Sequence, residues 1–151
     1  MQKGMGIIGI ILTLCIIGFL CVYFTSKTTQ QMTQETGVKF MERTVGKTAD
    51  VSTQANLRIL RDAIMRYYNE HRVYPDSLDS FGDPPFIPTY LRKIPSANLG
   101  MNVPYNIRTS DKITYGNSVT NTGGWLYNPA IGKIMVNYDG LDSDGVNYTT
   151  Y

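Results

Sequence analysis

Residues 5–24 read MGIIGIILTLCIIGFLCVYF, a run of twenty positions without a charge. At about 1.5 Å of rise per residue, a helix of this length is about 30 Å long, which matches the hydrocarbon core of a bilayer. The exit of the run, residues 22–27, does not offer the small-x-small cleavage site of a signal peptide. The run therefore predicts a retained transmembrane helix, with Lys3 on the cytoplasmic side.

The rest of the chain is polar and rich in tyrosine, and its length suits one small domain. The formal net charge of +2 comes from scattered lysines and arginines without a basic block, so nucleic acid is not expected as the primary partner. Cys15 and Cys21 both lie inside the apolar run. We expect them to face lipid or neighbouring side chains and to form no disulfide.

No proline occurs between the apolar run and Pro75, so one helix can continue from the membrane into the folded domain. Residues 25–47 are predicted as a polar helical or flexible continuation, because threonines and two glycines lower helix propensity there. Residues 48–151 then form the folded domain. The helix should end near His71, because Tyr74 precedes a proline and favours extended backbone.

Apolar side chains at helical spacing predict the face of this helix that enters the core. They are Leu57, Leu60, Ile64 and Tyr67, and His71 continues the same stripe.

The second half of the chain changes to short β-type segments. A helical turn is predicted over residues 75–82, which contain capping residues and end in glycine. Strands are predicted at residues 105–108, 113–115, 125–127 and 133–138, and the last two are joined by a hairpin connection containing Pro129 and Gly132. The predicted fold class is α+β: a long N-terminal helix with a membrane-spanning first part, packed on a small antiparallel sheet.

Catalytic motifs are missing from the sequence. The single histidine, His71, has no cysteine or second histidine near it for a zinc site, and neither a phosphate-binding glycine loop nor an HExxH motif occurs. We expect His71 to serve as a core or cap residue and Trp125 to anchor the sheet on the helix. The sequence thus predicts a protein that is not an enzyme.

The loop at residues 139–145, DGLDSDG, carries closely spaced carboxylates and two glycines. Carboxylate oxygens are ligands that Ca²⁺ prefers, and glycines let a loop curl around an ion, although the EF-hand pattern is incomplete. Asp139, Asp142 and Asp144 are therefore predicted as a weak calcium site. The alternative is an exposed turn in which aspartate and glycine supply the turn geometry.

Four parts of the chain together resemble the type IV pilin and type II secretion pseudopilin family, closest to the class of the major pseudopilin. Residues 3–9, KGMGIIG, look like the prepilin cleavage motif. Residues 56–78 are similar to the exit of the family's long helix, and residues 90–95 follow as they do in many members. The most specific match is the hairpin, GWLYN at 124–128 with GKIMVN at 132–137.

The resemblance implies a structural subunit of a type IV pilus or pseudopilus-like filament that assembles through its N-terminal helix. It implies cleavage between Gly4 and Met5 by a prepilin peptidase, which makes residues 1–4 a leader. It also implies homo- or hetero-oligomeric contacts with pilin-like subunits and a single-pass position in the inner membrane. The C-terminal domain is then periplasmic or part of an extracytoplasmic filament, and major pseudopilins carry calcium in the corresponding loop.

One position departs from the family pattern. Gly9 stands where the family has a glutamate at the fifth mature position. In the family, that carboxylate is thought to pair with the amino terminus of a neighbouring subunit inside an apolar helical bundle. Its absence favours a minor, tip or otherwise atypical subunit, or a membrane-anchored binding protein of the same fold that does not polymerise.

Overall fold

The computed structural model describes the backbone of residues 4–151 and the side chains of residues 15–25 and 36–151. The chain divides into two compact units, Met1–Met41 and Glu42–Tyr151. Helix α1 extends over Gly4–His71 and has residues in both units. It ends at the predicted residue, where Arg72 adopts a left-handed backbone conformation with φ of 61°.

The prediction of a membrane-spanning first part is wrong for the part of the chain that the structure describes. No helix there combines the length and hydropathy needed to cross a membrane. The described apolar side chains at residues 15–25 would extend only about 16 Å along a helix, roughly half of a hydrocarbon core. The predicted single-pass position in the inner membrane, with a periplasmic or filament-borne domain, is therefore corrected as well. Residues 5–14 of the predicted span lie outside the described side chains.

In the first unit, every side chain described between Cys15 and Thr25 is exposed. Large apolar side chains make up most of this stretch, which we call the apolar segment: Ile16, Ile17, Phe19, Leu20, Val22, Tyr23 and Phe24. Their positions are distributed around most of the helix circumference. The segment therefore lacks the single apolar face that a surface helix normally turns toward its own core.

The second unit encloses a core of its own. The predicted apolar face of α1 contributes Leu57, Leu60 and Ile64, each at most 1% exposed. Trp125 is fully buried in the same cluster, and its indole Nε1 donates a hydrogen bond to the Pro95 carbonyl at 2.7 Å. Trp125 therefore belongs to the core that the helix and the sheet share, and its anchoring role stays a prediction.

Two small sheets accompany the helix. Strands β1 (Ala97–Asn98) and β2 (Thr109–Ser110) form an antiparallel pair. Strands β3 (Ile113–Tyr115), β4 (Trp125–Asn128) and β5 (Lys133–Val136) form the second sheet, in the order β3-β4-β5. The class is thus α+β, but the predicted antiparallel sheet is corrected: β4 and β5 form the antiparallel hairpin, whereas β3 runs parallel to β4.

The parallel pairing depends on a short connection, residues 116–124, that returns the chain to the start of the sheet. Asn137, which is fully buried, holds this connection. Its Nδ2 lies 2.8–3.1 Å from the hydroxyls of Thr114, Thr120 and Thr122, and its Oδ1 accepts a hydrogen bond from the Thr120 amide at 2.8 Å. Thr114 belongs to β3, and Thr120 and Thr122 belong to the connection, so this buried and fully paired amide ties the path of the connection to the sheet.

Two local predictions are wrong. Residues 75–82 form bends and no helical turn, because Asp79 Oδ1 accepts hydrogen bonds from the Ser77 hydroxyl and the Phe81 amide, at 2.6 and 2.9 Å. These contacts offer the backbone an alternative to a helix. Residues 105–107, predicted as part of a strand, form a 3₁₀ turn, and the strand begins only at Thr109. A single turn, α2 (Phe86–Thr89), lies in the proline-rich connector.

Candidate functional site: the acidic loop and its anchor on the helix

The predicted calcium loop follows β5 and is closed by its own backbone. Leu141 and Asn147 form an isolated antiparallel bridge. The amide of Asp142 donates to the Val146 carbonyl at 2.8 Å, and the amide of Gly145 donates to the Asp142 carbonyl at 3.2 Å. A 3₁₀ turn, Tyr148–Thr150, completes the segment. The loop is therefore a defined turn with its backbone polar groups paired locally.

Asp142 points into this turn and is 8% exposed. Its Oδ1 accepts hydrogen bonds from the amides of Asp144 and Val146, both at 2.8 Å, and its Oδ2 accepts one from the Tyr151 hydroxyl at 2.6 Å. Burial raises the pKa of the Asp142 carboxyl, but these hydrogen bonds outweigh burial and leave the pKa below its usual value. Asp142 is thus held as a carboxylate by protein donors.

The other two predicted ligands lie elsewhere. Asp144 is exposed and forms an ion pair with Lys47 on α1, with Oδ2 2.9 Å from Nζ. Asp139 is also exposed, and the structure fixes its backbone: its amide donates to Asn121 Oδ1 at 2.9 Å, and its carbonyl accepts from Asn147 Nδ2 at 2.7 Å. Asp142 therefore faces inward while Asp139 and Asp144 lie at the surface.

This arrangement does not fit a calcium ion. Ca²⁺ takes six to eight oxygen ligands at about 2.3–2.6 Å. Both oxygens of Asp142 already accept hydrogen bonds, and Asp144 would have to leave Lys47. Among the described residues, no three histidine, cysteine, aspartate or glutamate side chains gather at one point. Calcium binding by this loop therefore stays a prediction of the sequence.

Sequence reasoning missed a second buried carboxylate, Asp50 of α1, which is 4% exposed. Its Oδ1 accepts a hydrogen bond from the hydroxyl of Tyr148, and its Oδ2 accepts one from the Ser143 amide at 2.9 Å. The same Tyr148 hydroxyl accepts a hydrogen bond from the Gly100 amide at 2.7 Å. Burial and the bond to Asp50 raise the pKa of the Tyr148 phenol, so it remains a donor.

Gly46 explains how the loop comes so close to the helix. A Cβ at this position would lie 2.5 Å from the Ser143 hydroxyl oxygen, which is shorter than any ordinary contact. The absence of a side chain thus admits Ser143, whose amide then reaches Asp50. The glycine that lowers helix propensity in the sequence serves here as the docking position for the loop. We refer to Asp50, Ser143 and Tyr148 as the loop anchor.

The remaining sequence-predicted sites fall outside this constellation. The processing pair, Gly4 and Met5, lies outside the residues whose side chains are described. Cys15 and Cys21 are free and exposed.

His71 lies at the end of α1 with Nε2 2.8 Å from the Tyr90 hydroxyl, and that hydroxyl donates to Glu70 Oε2 at 2.5 Å. The bond to Glu70 raises the pKa of Tyr90 to about 12. His71 is exposed and bonds a tyrosine side chain, so the expectation of a core or cap residue is not confirmed.

No protein-family model, curated protein or solved structure matches this chain. The pilin resemblance therefore rests on the motifs of the sequence alone, and the function is argued from the residues themselves.

Proposed function

We propose that the chain is a structural subunit, not an enzyme, that assembles with further copies or with related subunits through the apolar segment of α1. The filament would be of the type IV pilus or type II secretion pseudopilus kind. Two lines of evidence support this proposal: the family-like motifs of the sequence, and the exposure of large apolar side chains on the first unit.

The exposed apolar segment is the observation that carries the proposal. Its seven large apolar side chains are 48–77% exposed. Complete burial of one such side chain contributes about 1.5–3 kcal/mol, so enclosure of all seven would supply a substantial driving force. Exposed apolar patches of this kind mark interaction sites. Because apolar residues lie around most of the helix, one partner helix cannot cover them, and a bundle of several subunits can.

The core and the acidic loop of the second unit also support the proposal of a structural subunit. This unit buries its own core, from Leu57 on α1 to Val136 on β5, and does not use the apolar segment to fold. Its acidic loop is closed by structural hydrogen bonds, and its buried carboxylates bind tyrosine hydroxyls. These features suit a stable domain displayed by an assembly helix.

The proposal extends to the partners named by the resemblance. A prepilin peptidase would cut between Gly4 and Met5, and Gly9 would deprive the helix of the carboxylate that sets register in ordinary members. We therefore favour hetero-oligomeric assembly with pilin-like subunits over a filament built from this chain alone. Replacement of Gly9 by glutamate is then expected to increase incorporation into filaments.

The test compares two substitutions of the same chemistry in the full-length chain. Phe19→Glu places a charge in the apolar segment, where Phe19 is 77% exposed. Phe81→Glu places the same charge on a loop of the second unit, where Phe81 is 91% exposed. Burying an unpaired carboxylate between helices costs several kcal/mol, so Phe19→Glu should abolish co-assembly with pilin-like subunits in sedimentation, while Phe81→Glu should not. Equal behaviour of the two variants would contradict the proposal and favour a binding protein that does not polymerise.

A further inference from the structure

The acidic loop contains two Asp-Gly pairs, Asp139-Gly140 and Asp144-Gly145. In such a pair the backbone nitrogen of the glycine can attack the carboxyl carbon of the preceding aspartate, because glycine has no side chain to obstruct the approach. The two reacting groups belong to one chain and are already close, so the five-membered ring closes without a partner molecule. The two pairs share a chemistry, and the structure gives them different surroundings.

The peptide unit between Asp139 and Gly140 is held in place. The Asp139 carbonyl, which belongs to this unit, accepts a hydrogen bond from Asn147 Nδ2 at 2.7 Å. The Gly140 carbonyl accepts one from the Tyr148 amide at 3.1 Å. The ring of Tyr138 covers Gly140, because a Cβ added there would lie 2.2 Å from a ring carbon. Rotation of this unit toward the Asp139 side chain would therefore break hydrogen bonds and displace a ring.

The peptide unit between Asp144 and Gly145 is open. Both residues are exposed, and no described atom outside the neighbouring residues lies within 4 Å of the position that a Cβ of Gly145 would take. The Gly145 amide donates to the Asp142 carbonyl at 3.2 Å, which is at the long end of ordinary hydrogen bonds. Lys47 restrains the Asp144 carboxylate, but an exposed ion pair adds little stability. A small local rotation can therefore bring the Gly145 nitrogen to the Asp144 carboxyl carbon.

We propose that Asp144 is a site of spontaneous backbone isomerisation to isoaspartate, and that folding protects Asp139 from the same reaction. The Gly145 nitrogen forms a bond to the Asp144 carboxyl carbon and loses its proton, and the carboxyl hydroxyl leaves with that proton as water. Water then adds to one carbonyl of the cyclic imide, the bond from that carbon to the nitrogen breaks, and the nitrogen regains a proton. Cleavage at the former main-chain carbonyl leaves the backbone running through the former side chain. The net composition is unchanged, and no oxidant or cofactor takes part.

The isomerised linkage loosens the loop from α1. Its free carboxylate is attached directly to the Cα, so it no longer extends to Lys47 as the Asp144 side chain does. The backbone gains a methylene next to Ser143, whose amide donates to Asp50 Oδ2 at 2.9 Å. The fit at Ser143 is close, because a Cβ on Gly46 would lie 2.5 Å from its hydroxyl oxygen. Isomerisation therefore displaces one member of the loop anchor, whether or not the chain assembles as proposed.

The first arm of the experiment incubates the full-length chain in water enriched in heavy oxygen, once folded and once unfolded in urea. Ring opening takes one oxygen from the solvent, so mass spectrometry of peptides measures the reaction at each pair separately. We expect folding to slow the reaction severalfold at Asp139 and to leave its rate at Asp144 nearly unchanged. Asp144→Glu is the matched control. It keeps the carboxylate but would have to form a six-membered ring, so the peptide that contains it should stay unlabelled.

The second arm measures amide hydrogen exchange in the aged chain, which reports local opening of the loop. The Ser143 amide should exchange faster in isomerised chains than in fresh ones, and aged Asp144→Glu should match its own fresh sample. Folding that protects Asp144 as strongly as Asp139, or a folded chain that isomerises mainly at Asp139, would overturn the site. Unchanged exchange at Ser143 after Asp144 has isomerised would overturn the loosening of the loop.

Discussion

The loop anchor gives the sharpest prediction about the second unit. The substitution Tyr148→Phe removes one hydroxyl and leaves the buried ring in place. That hydroxyl has two partners: it donates to Asp50 Oδ1 and accepts from the Gly100 amide at 2.7 Å. Tyr148 is fully buried and Asp50 is 4% exposed, so water can replace neither contact without opening the loop.

The magnitude follows from what the substitution leaves behind. An amide donor without an acceptor in a buried position costs about 1–3 kcal/mol, and the loss of a hydrogen bond to a charged acceptor costs about 1.5–3 kcal/mol. The Asp50 carboxylate would retain the Ser143 amide at 2.9 Å as its one remaining partner. We therefore expect a loss of about 3–5 kcal/mol, a large share of an ordinary domain's stability, and a fall in Tm of roughly 10–20 °C.

The assay is urea and thermal unfolding followed by the fluorescence of Trp125. It is the single tryptophan and is fully buried, so its emission reports the folded second unit. Tyr138→Phe is the matched control, because the structure gives the Tyr138 hydroxyl no hydrogen-bond partner among the described residues. A double-mutant cycle with Asp50→Ala isolates the pair, and its coupling energy should exceed 1 kcal/mol by a clear margin.

The reasoning is refuted by either of two results. One is a Tyr148→Phe variant that unfolds within about 0.5 kcal/mol of the unaltered chain, which is the range of an ordinary surface substitution. The other is a cycle in which the effects of Tyr148→Phe and Asp50→Ala simply add. Either result would mean that the acidic loop is held on α1 by contacts other than the loop anchor.

Two further predictions concern Asp142. The pKa of Asp142 lies below its ordinary value of 3.8, so its contribution to stability is complete only above about pH 5 and is lost as the pH falls through the folded-state pKa. Asp142→Asn should therefore flatten the acid limb of a plot of unfolding free energy against pH, and Asp139→Asn should not. Both carboxylate oxygens of Asp142 already accept hydrogen bonds from the protein, so the Tm measured with millimolar calcium should equal the Tm measured with chelator. A calcium-dependent rise in Tm that Asp142→Ala abolishes would establish the calcium site instead.

Local signals in the sequence predicted the elements whose causes are local. The hairpin of β4 and β5 was visible because β-branched and aromatic residues flank a connection with Pro129 and Gly132, and both sides of that connection form strands. The end of α1 at His71 followed from the restricted backbone before Pro75. The burial of Leu57, Leu60 and Ile64 followed from helical periodicity.

The candidate site was harder to predict because its parts are far apart in sequence. Asp50 and Tyr148 are separated by 98 positions, and no periodic or turn signal links them. The sequence of the loop alone does not indicate the partners of the predicted metal ligands. Tyr151 donates a hydrogen bond to Asp142, and Lys47 forms an ion pair with Asp144. The parallel pairing of β3 with β4 was not predicted for the same reason. The residue that fixes the connection between these two strands, Asn137, lies after β5 in the sequence.

The charge-free run at residues 5–24 predicted a membrane span by its length and hydropathy. The described part of the chain contains no helix that meets the requirements of a span. What the structure does describe there, at residues 15–25, is apolar side chains exposed around most of a helix. That exposure is the basis of the proposed assembly.

The central claim is that the apolar segment drives ordered assembly, and electron microscopy of the full-length chain mixed with pilin-like subunits tests it most directly. The comparison is with the fragment Glu42–Tyr151, which retains the complete core of the second unit. We predict filaments of constant diameter that contain the full-length chain, and single folded molecules for the fragment, which should stay out of the filaments. Filaments that exclude the full-length chain, irregular aggregates in their place, or a fragment that enters filaments equally well would contradict the claim.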